Sequence, residues 1–465
     1  MPLARAEKPW VPPHEGEDLN TMKSLTKKRV AGLAAVAAIA ASVMAGSAHA
    51  DPSQFSALVG VGSDTVQDVA NAFAGQSNGV YYKAIDAGDG NHTGIASFDA
   101  FPNANLTDQC ITTKLNGPTF TRPQGSGAGQ KALSDSYFPG SGATWLGTTF
   151  NSPIYGVMPT CTTAAVSISG QVDFARSSSK GTDTGAKDLA FIPFGRDGVS
   201  FAYYRAAGSP QTTLTQQELN WIWTHGPTIK NGVRIVPCGI QSSSGTSKFW
   251  EQSTSTGTKA NSAVGFTAGE CTPTAATRLP ENDGNSLKQA GAAVAALGTT
   301  TGLTCADFTN AANCTNGSVN HANDEVVVGF SAAQYTSQAN GAATSTIPAT
   351  ANFGIGSISD NGSGTNLGSP VSVSGGVTSP SASFYGDSVF GRNVFFVIPY
   401  VIATATAGFN DSRGMFVNAN YANTSLPNTA AVCNANTTLN KFGFLATSSC
   451  GNPTISWSPR QNAPA

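Results

Sequence analysis

Four short segments bring glycine, hydroxyl side chains and a single cation together at spacings that suit one kind of chemistry. They are Gly60-Val61-Gly62-Ser63-Asp64-Thr65, Gly125-Ser126-Gly127-Ala128-Gly129, Asp173-Phe174-Ala175-Arg176-Ser177-Ser178-Ser179 and Gln241-Ser242-Ser243-Ser244-Gly245-Thr246. The chemistry is the holding of an anion. The first amides of a helix lack an intrahelical acceptor and sit at the positive end of its dipole. Hydroxyls at Ser63, Thr65, Ser126, Ser177, Ser178, Ser244 and Thr246 add donors, and Arg176 adds the charge. One such turn is ordinary helix capping. Several donor-rich turns with an arginine make an oxyanion cage.

Catalytic sets are absent by pattern. The chain has no H-E-x-x-H pair, and Gly386-Asp387-Ser388 reads as a turn. His92, His225 and His321 stand in polar or loop contexts, and Glu281, Asp283, Asp324 and Glu325 read as solvated loop acids. The expectation is a binding protein with no catalytic residue, metal or cofactor.

The elements that must position the loops follow from periodicity. Ala57–Val61 is a short apolar run, with Val66, Val69, Ala70 and Phe73 at helical spacing behind it. The loops at 125–129 and 241–246 open segments carrying Ala132 and Leu133, and Phe249 and Trp250. Thr215 and Glu218 form a capping box for a helix that stops near Gly226-Pro227. Ser286–Leu297, closed by Gly298, is a further helix. Val326–Phe330 reads as a buried strand followed by a helix over Ser331–Ala339, and Val394–Ile402 is the last strong apolar run. The alternation predicts an α/β fold. Thr344–Pro380 and Ala403–Leu445, rich in Ser, Gly, Thr and Asn, are expected to be surface excursions that add little core.

Composition sets the surroundings. In 465 residues apolar side chains make up 40% and charged ones only 11%, so Ser, Thr, Asn, Gln and Gly must wet the surface. A formal charge of -2 excludes a basic footprint for nucleic acid. Residues 22–50 read as a secretory signal, with Met22 as initiator, a basic start, an apolar run over Ala31–Ala45 and cleavage after Ala48-His49-Ala50. No long apolar span follows, so the expected location is secreted, periplasmic or wall-associated. All eight cysteines lie beyond the signal, with no C-x-x-C spacing, which predicts structural disulfides. Proximity favours Cys305–Cys314 and Cys433–Cys450, then Cys110–Cys161 and Cys238–Cys271.

In this order the loops, with Val172-Asp173-Phe174-Ala175 and the helix beginning at Leu214-Thr215, resemble the phosphate-binding proteins of phosphate ABC importers. The resemblance runs from Leu58 to about Phe330. It implies a two-lobed type II periplasmic-binding-protein fold with Ser/Gly/Asn-rich surface insertions. Lobe 1 would comprise 51–195 with 331–465 and lobe 2 196–330, after a leader and signal over 1–50. It further implies a monomer holding inorganic phosphate or a similar oxyanion between the lobes and meeting an ABC permease. Asp64 and Thr65 fall at the first phosphate loop, Ser126 at the second, and Ser244, Gly245 and Thr246 at the last. Two family charges are missing: Ser178 stands where an aspartate is usual and Ile240 where an arginine is usual. The expected compensation is Arg176 as the bidentate cation and Asp64 as acceptor of the ligand proton. Rival expectations are a wall-associated or matrix protein that reuses the fold without phosphate, and a secreted hydrolase.

Overall fold

Alternating apolar residues that face two ways build the centre of this molecule. The computed structural model describes residues 57–101, 109–138, 144–147, 149–152, 156–158, 160–181, 189–255, 271, 278–406, 409–453 and 456–458. The expected leader, secretory signal and cleavage site lie outside them. Ten strands form the backbone of a 12-stranded mixed sheet. In chain order they are β1 (Leu58–Gly62), β2 (Ile95–Ser97), β3 (Phe174–Ser177), β4 (Leu189–Arg205), β5 (Thr228–Lys230), β6 (Val233–Pro237), β7 (Thr299–Cys305), β8 (Cys314–Asn320), β9 (Glu325–Ser331) and β10 (Gly391–Pro399). Their order across the sheet is β8-β7-β5-β6-β9-β4-β10-β3-β1-β2.

β4 is the shared element. Its first part, Leu189–Gly198, pairs antiparallel with β10, and its second part, Val199–Arg205, pairs antiparallel with β9. The strands on either side of β4 are buried on both faces, whereas β7 and β8 at one edge are largely exposed. Along β4 and β10, Ala190, Ile192, Phe194, Val394, Phe396 and Ile398 enter one core, whereas Leu189, Phe191, Phe395 and Val397 enter another. In the second half Val199, Phe201, Ile235 and Val327 face one side, and Ala202, Val236, Val326, Val328 and Phe330 the other. That pattern is why these strands read as nearly continuous apolar runs.

Six helices pack against the sheet: α1 (Gln67–Phe73), α2 (Ser126–Tyr137), α3 (Gln216–His225), α4 (Gly245–Ser253), α5 (Gly284–Ala296) and α6 (Ala332–Ala339). The expected capping box forms, with Thr215 Oγ1 accepting from Glu218 N at 3.0 Å and Glu218 Oε2 from Thr215 N at 2.9 Å. All four neighbour-paired disulfides are present, Cys110–Cys161, Cys238–Cys271, Cys305–Cys314 and Cys433–Cys450.

Four expectations need correction. Residues 403–445 are not peripheral, because Met415, Phe416, Val432, Leu439, Phe442 and Phe444 fill the core beside β10. Phe416 stacks on Phe396 with ring centres 4.6 Å apart. Few apolar residues suffice when each lands on an aromatic neighbour. Within 344–380, Phe353 and Ile358 are also buried, while 371–380 forms a two-stranded ribbon. His321 is fully buried, with Nδ1 2.8 Å from Asp324 Oδ2 and Nε2 2.9 Å from Thr300 Oγ1, and Arg234 Nη1 donates to the same Asp324 oxygen. Asp324 and Glu325 are buried instead of solvated.

Candidate functional site

The four loops meet at the ends of β1 and β3, where the starts of α1, α2 and α4 converge. Ser63 Oγ donates to Ser178 Oγ at 3.1 Å, Ser178 Oγ lies 3.3 Å from Ser126 Oγ, and Ser178 N donates to Ser126 Oγ at 3.0 Å. Thr65 Oγ1 lies 3.1 Å from Thr246 Oγ1. Loops one, two and three are thus tied by three serines, and loops one and four by two threonines. The path of the backbone demands glycine at two points. Gly125 adopts φ +92° where Ser243 O lies close, and a Cβ on Gly245 would run into the hydroxyls of Ser126 and Ser178.

Backbone donors without a partner remain at this meeting place. Among the described residues, the amides of Asp64, Thr65, Ser126 and Gly245 have no acceptor, whereas Ser63 N is held by Arg176 O at 3.1 Å and Thr246 N by Glu281 Oε1 at 3.2 Å. Ser244 is buried, and its hydroxyl caps α4 by accepting from Ser247 N at 3.0 Å.

Arg176 does not supply the charge expected of it. It lies wholly buried on β3, and all five of its N–H groups are engaged: Nε by Ser63 O, Nη1 by Gly60 O and Ser97 Oγ, and Nη2 by Gly62 O and Phe98 O, at 2.7–3.4 Å. Burial holds its pKa down to about 10, against the pull of Asp99, Asp64 and Asp68. Arg176 therefore pins the first loop to β2 and has no donor left for a ligand. Ser177 is likewise turned away, its hydroxyl donating to Ser179 O and accepting from Gln130 Nε2.

Another arginine lies beside the loops. Arg392, 4% exposed on β10, donates from Nη2 to Thr246 Oγ1 at 2.8 Å and from Nε and Nη2 to Asp197 Oδ2 at 3.0 and 2.8 Å. Its Nη1 is buried without a partner, and its guanidinium lies over Phe249, 5.4 Å from the ring centre. Asp197 also accepts from Ser331 Oγ and Ala333 N, which fixes the start of α6.

A fifth segment completes the site. Glu281, 3% exposed, accepts from Thr65 Oγ1 at 2.7 Å, while its Oε2 is buried and unbonded. It is not the solvated acid expected. Asn282 Nδ2 reaches Thr65 Oγ1 at 3.1 Å and Asp64 Oδ2 at 3.2 Å, and its Oδ1 accepts from Ser331 N. Burial, with Glu281 and Asp68 nearby, pushes Asp64 well above the usual carboxylate range. Sequence reading passed over Arg392 and Glu281. The available signals were a charge inside each of the apolar strands β10 and β4, and an acid just ahead of the Asp283 cap of α5.

Among solved structures, a crystal structure titled as that of a possible phosphate binding protein from Planctomyces limnophilus DSM 3776 aligns with 84% of this chain and 93% of its own. The identity is 11% and the TM-score 0.35. No family model and no curated protein matches the chain.

Proposed function

We propose that this chain is a secreted, non-catalytic binding protein that captures inorganic phosphate, or a closely similar tetrahedral oxyanion, between two lobes built on the two half-sheets and hands it to an ABC permease. One observation carries the reading. Five hydroxyls and four acceptor-free amides from loops far apart in sequence meet at one point, beside a buried guanidinium with an open N–H. Such groups would turn from one another to the oxygens of an anion, as charge-assisted bonds are the stronger ones. Arg392 would supply the bidentate fork that Arg176 cannot. Asp64 would accept a hydrogen bond from a protonated oxygen and so disfavour sulfate, which offers none near neutral pH.

A second reading is favoured by the hydroxyls' bonds to one another. Satisfied in that way, the cage would be structural glue in a wall or matrix protein. Isothermal titration separates the two: heat with phosphate and none with sulfate supports capture, and no heat with phosphate at millimolar concentration leaves the matrix reading.

A further inference from the structure

The charges around the cage are out of balance for an anion. Asp64 and Asp68 face it from the first loop and α1, Glu281 and Asp283 from the segment before α5, and Asp197 from β4. Against them stand Arg176 on β3, with Asp99 and Arg122 behind it, Lys248 on α4, whose Nζ lies beside Gly127 of the second loop, and Arg392 on β10, which is shared with Asp197. Glu281 is the telling member. Its Oε1 is held by two groups of the cage itself, Thr65 Oγ1 and the Thr246 amide, while its buried Oε2 has no donor. An ionised carboxylate there would leave one oxygen bare next to the incoming charge, in surroundings that screen little.

We propose that Glu281 makes capture proton-coupled, so that one proton enters the cage with each anion and is held on the Glu281–Asp64 carboxyl pair. This rests on the anion reading above. Protonated, Glu281 Oε2 becomes an O–H donor and joins the open amides and Arg392 Nη1 around the guest. Ionised, it repels the guest, so occupancy by anion and by proton favour each other. The two carboxyl groups act as a pair, and the proton belongs to both. The raised titration of Asp64 agrees with a site short of compensating cations. Affinity should therefore rise as pH falls, by up to about tenfold per pH unit where one proton is taken up with each anion.

The test is titration calorimetry of the secreted chain with inorganic phosphate at about pH 8, in buffers of different ionisation enthalpy. The dependence of the heat on buffer counts the protons taken up. The expected result is about one proton per anion for the native protein. In Glu281→Gln, which keeps an acceptor for Thr65 and the Thr246 amide, the number of protons taken up per anion bound should fall toward zero and the pH slope flatten. Binding without proton uptake, or an unchanged count in Glu281→Gln, would overturn the proposal while leaving phosphate capture intact. No binding by the native protein would remove both. Should Glu281→Gln not fold, Asp64→Asn supplies the second measurement: its count should also drop, and a count equal to the native one would contradict a shared proton.

Discussion

Two buried arginines with opposite duties show what a single side chain decides here. Arg176 is the cation that spacing singles out, but spacing does not say which way a strand residue points, and all of its donors are closed by carbonyls and Ser97. Replacing it by methionine leaves those acceptors bare in the core and should lower stability by about 3 kcal/mol or more. The phosphate affinity of the folded fraction should stay within about threefold. Arg392→Ala is expected to do the reverse at the ligand, weakening phosphate by about 1.5–3 kcal/mol if it makes the charge-assisted contact. Melting curves beside calorimetric titrations separate the two effects, and loss of binding in Arg176→Met with none in Arg392→Ala would reverse the assignment. Glu325 offers a pH test apart from the site. Burial pushes it up to about 8, although its Oε2 accepts from Gln211 N. A folded pKa above the unfolded one means that its stabilising contribution is complete below the ordinary glutamate range and lost as pH rises toward about 8. The melting temperature of Glu325→Gln should gain on the native value across that window and level off above it. A gap that does not change with pH would contradict the buried acid.

Helices and loops were the most legible parts of the sequence, because their signals are local. The capping box at Thr215, the strand and helix at 325–339 and the helix starts at Ser126 and Gly245 all stand where periodicity and cap chemistry put them. The meeting of the four loops was inferred from their likeness to one another, and the bonds among Ser63, Ser126 and Ser178 fit that inference. What stayed hidden were contacts made by strands. Arg392 and Asp197 lie 195 residues apart and meet only because β4 and β10 pair in one register. Gly245 is the element-level test. Gly245→Ala forces a methyl group against the Ser126 and Ser178 hydroxyls, so the loops must part while α4 gains a better helix former. Phosphate affinity should fall at least about tenfold with little change in melting temperature, on the general expectation that unplaced donors lose their bonds. Unchanged binding would mean that the loops do not form one site.

At the scale of the whole molecule, a long strand joins two half-sheets, and the last part of the chain returns to finish the first of them. Low apolar content made 403–445 look dispensable, because composition averages over residues, whereas packing depends on where the few large ones land. Phe416→Ala should cost about 3–5 kcal/mol, as expected for a buried aromatic, and a cost below about 1 kcal/mol in denaturant melts would return this segment to the surface. The sheet also brings the charged residues of β4 and β10 to the cage, so the account depends on the anion sitting where both halves reach it. A crystal structure of the protein grown with phosphate tests this most directly. A tetrahedral density is expected within hydrogen-bond reach of the Thr65, Ser126 and Gly245 amides and of Arg392 Nη1, with the serine hydroxyls turned toward it. Phosphate bound on another face, or a cage whose hydroxyls still bond only one another at saturating phosphate, would contradict it.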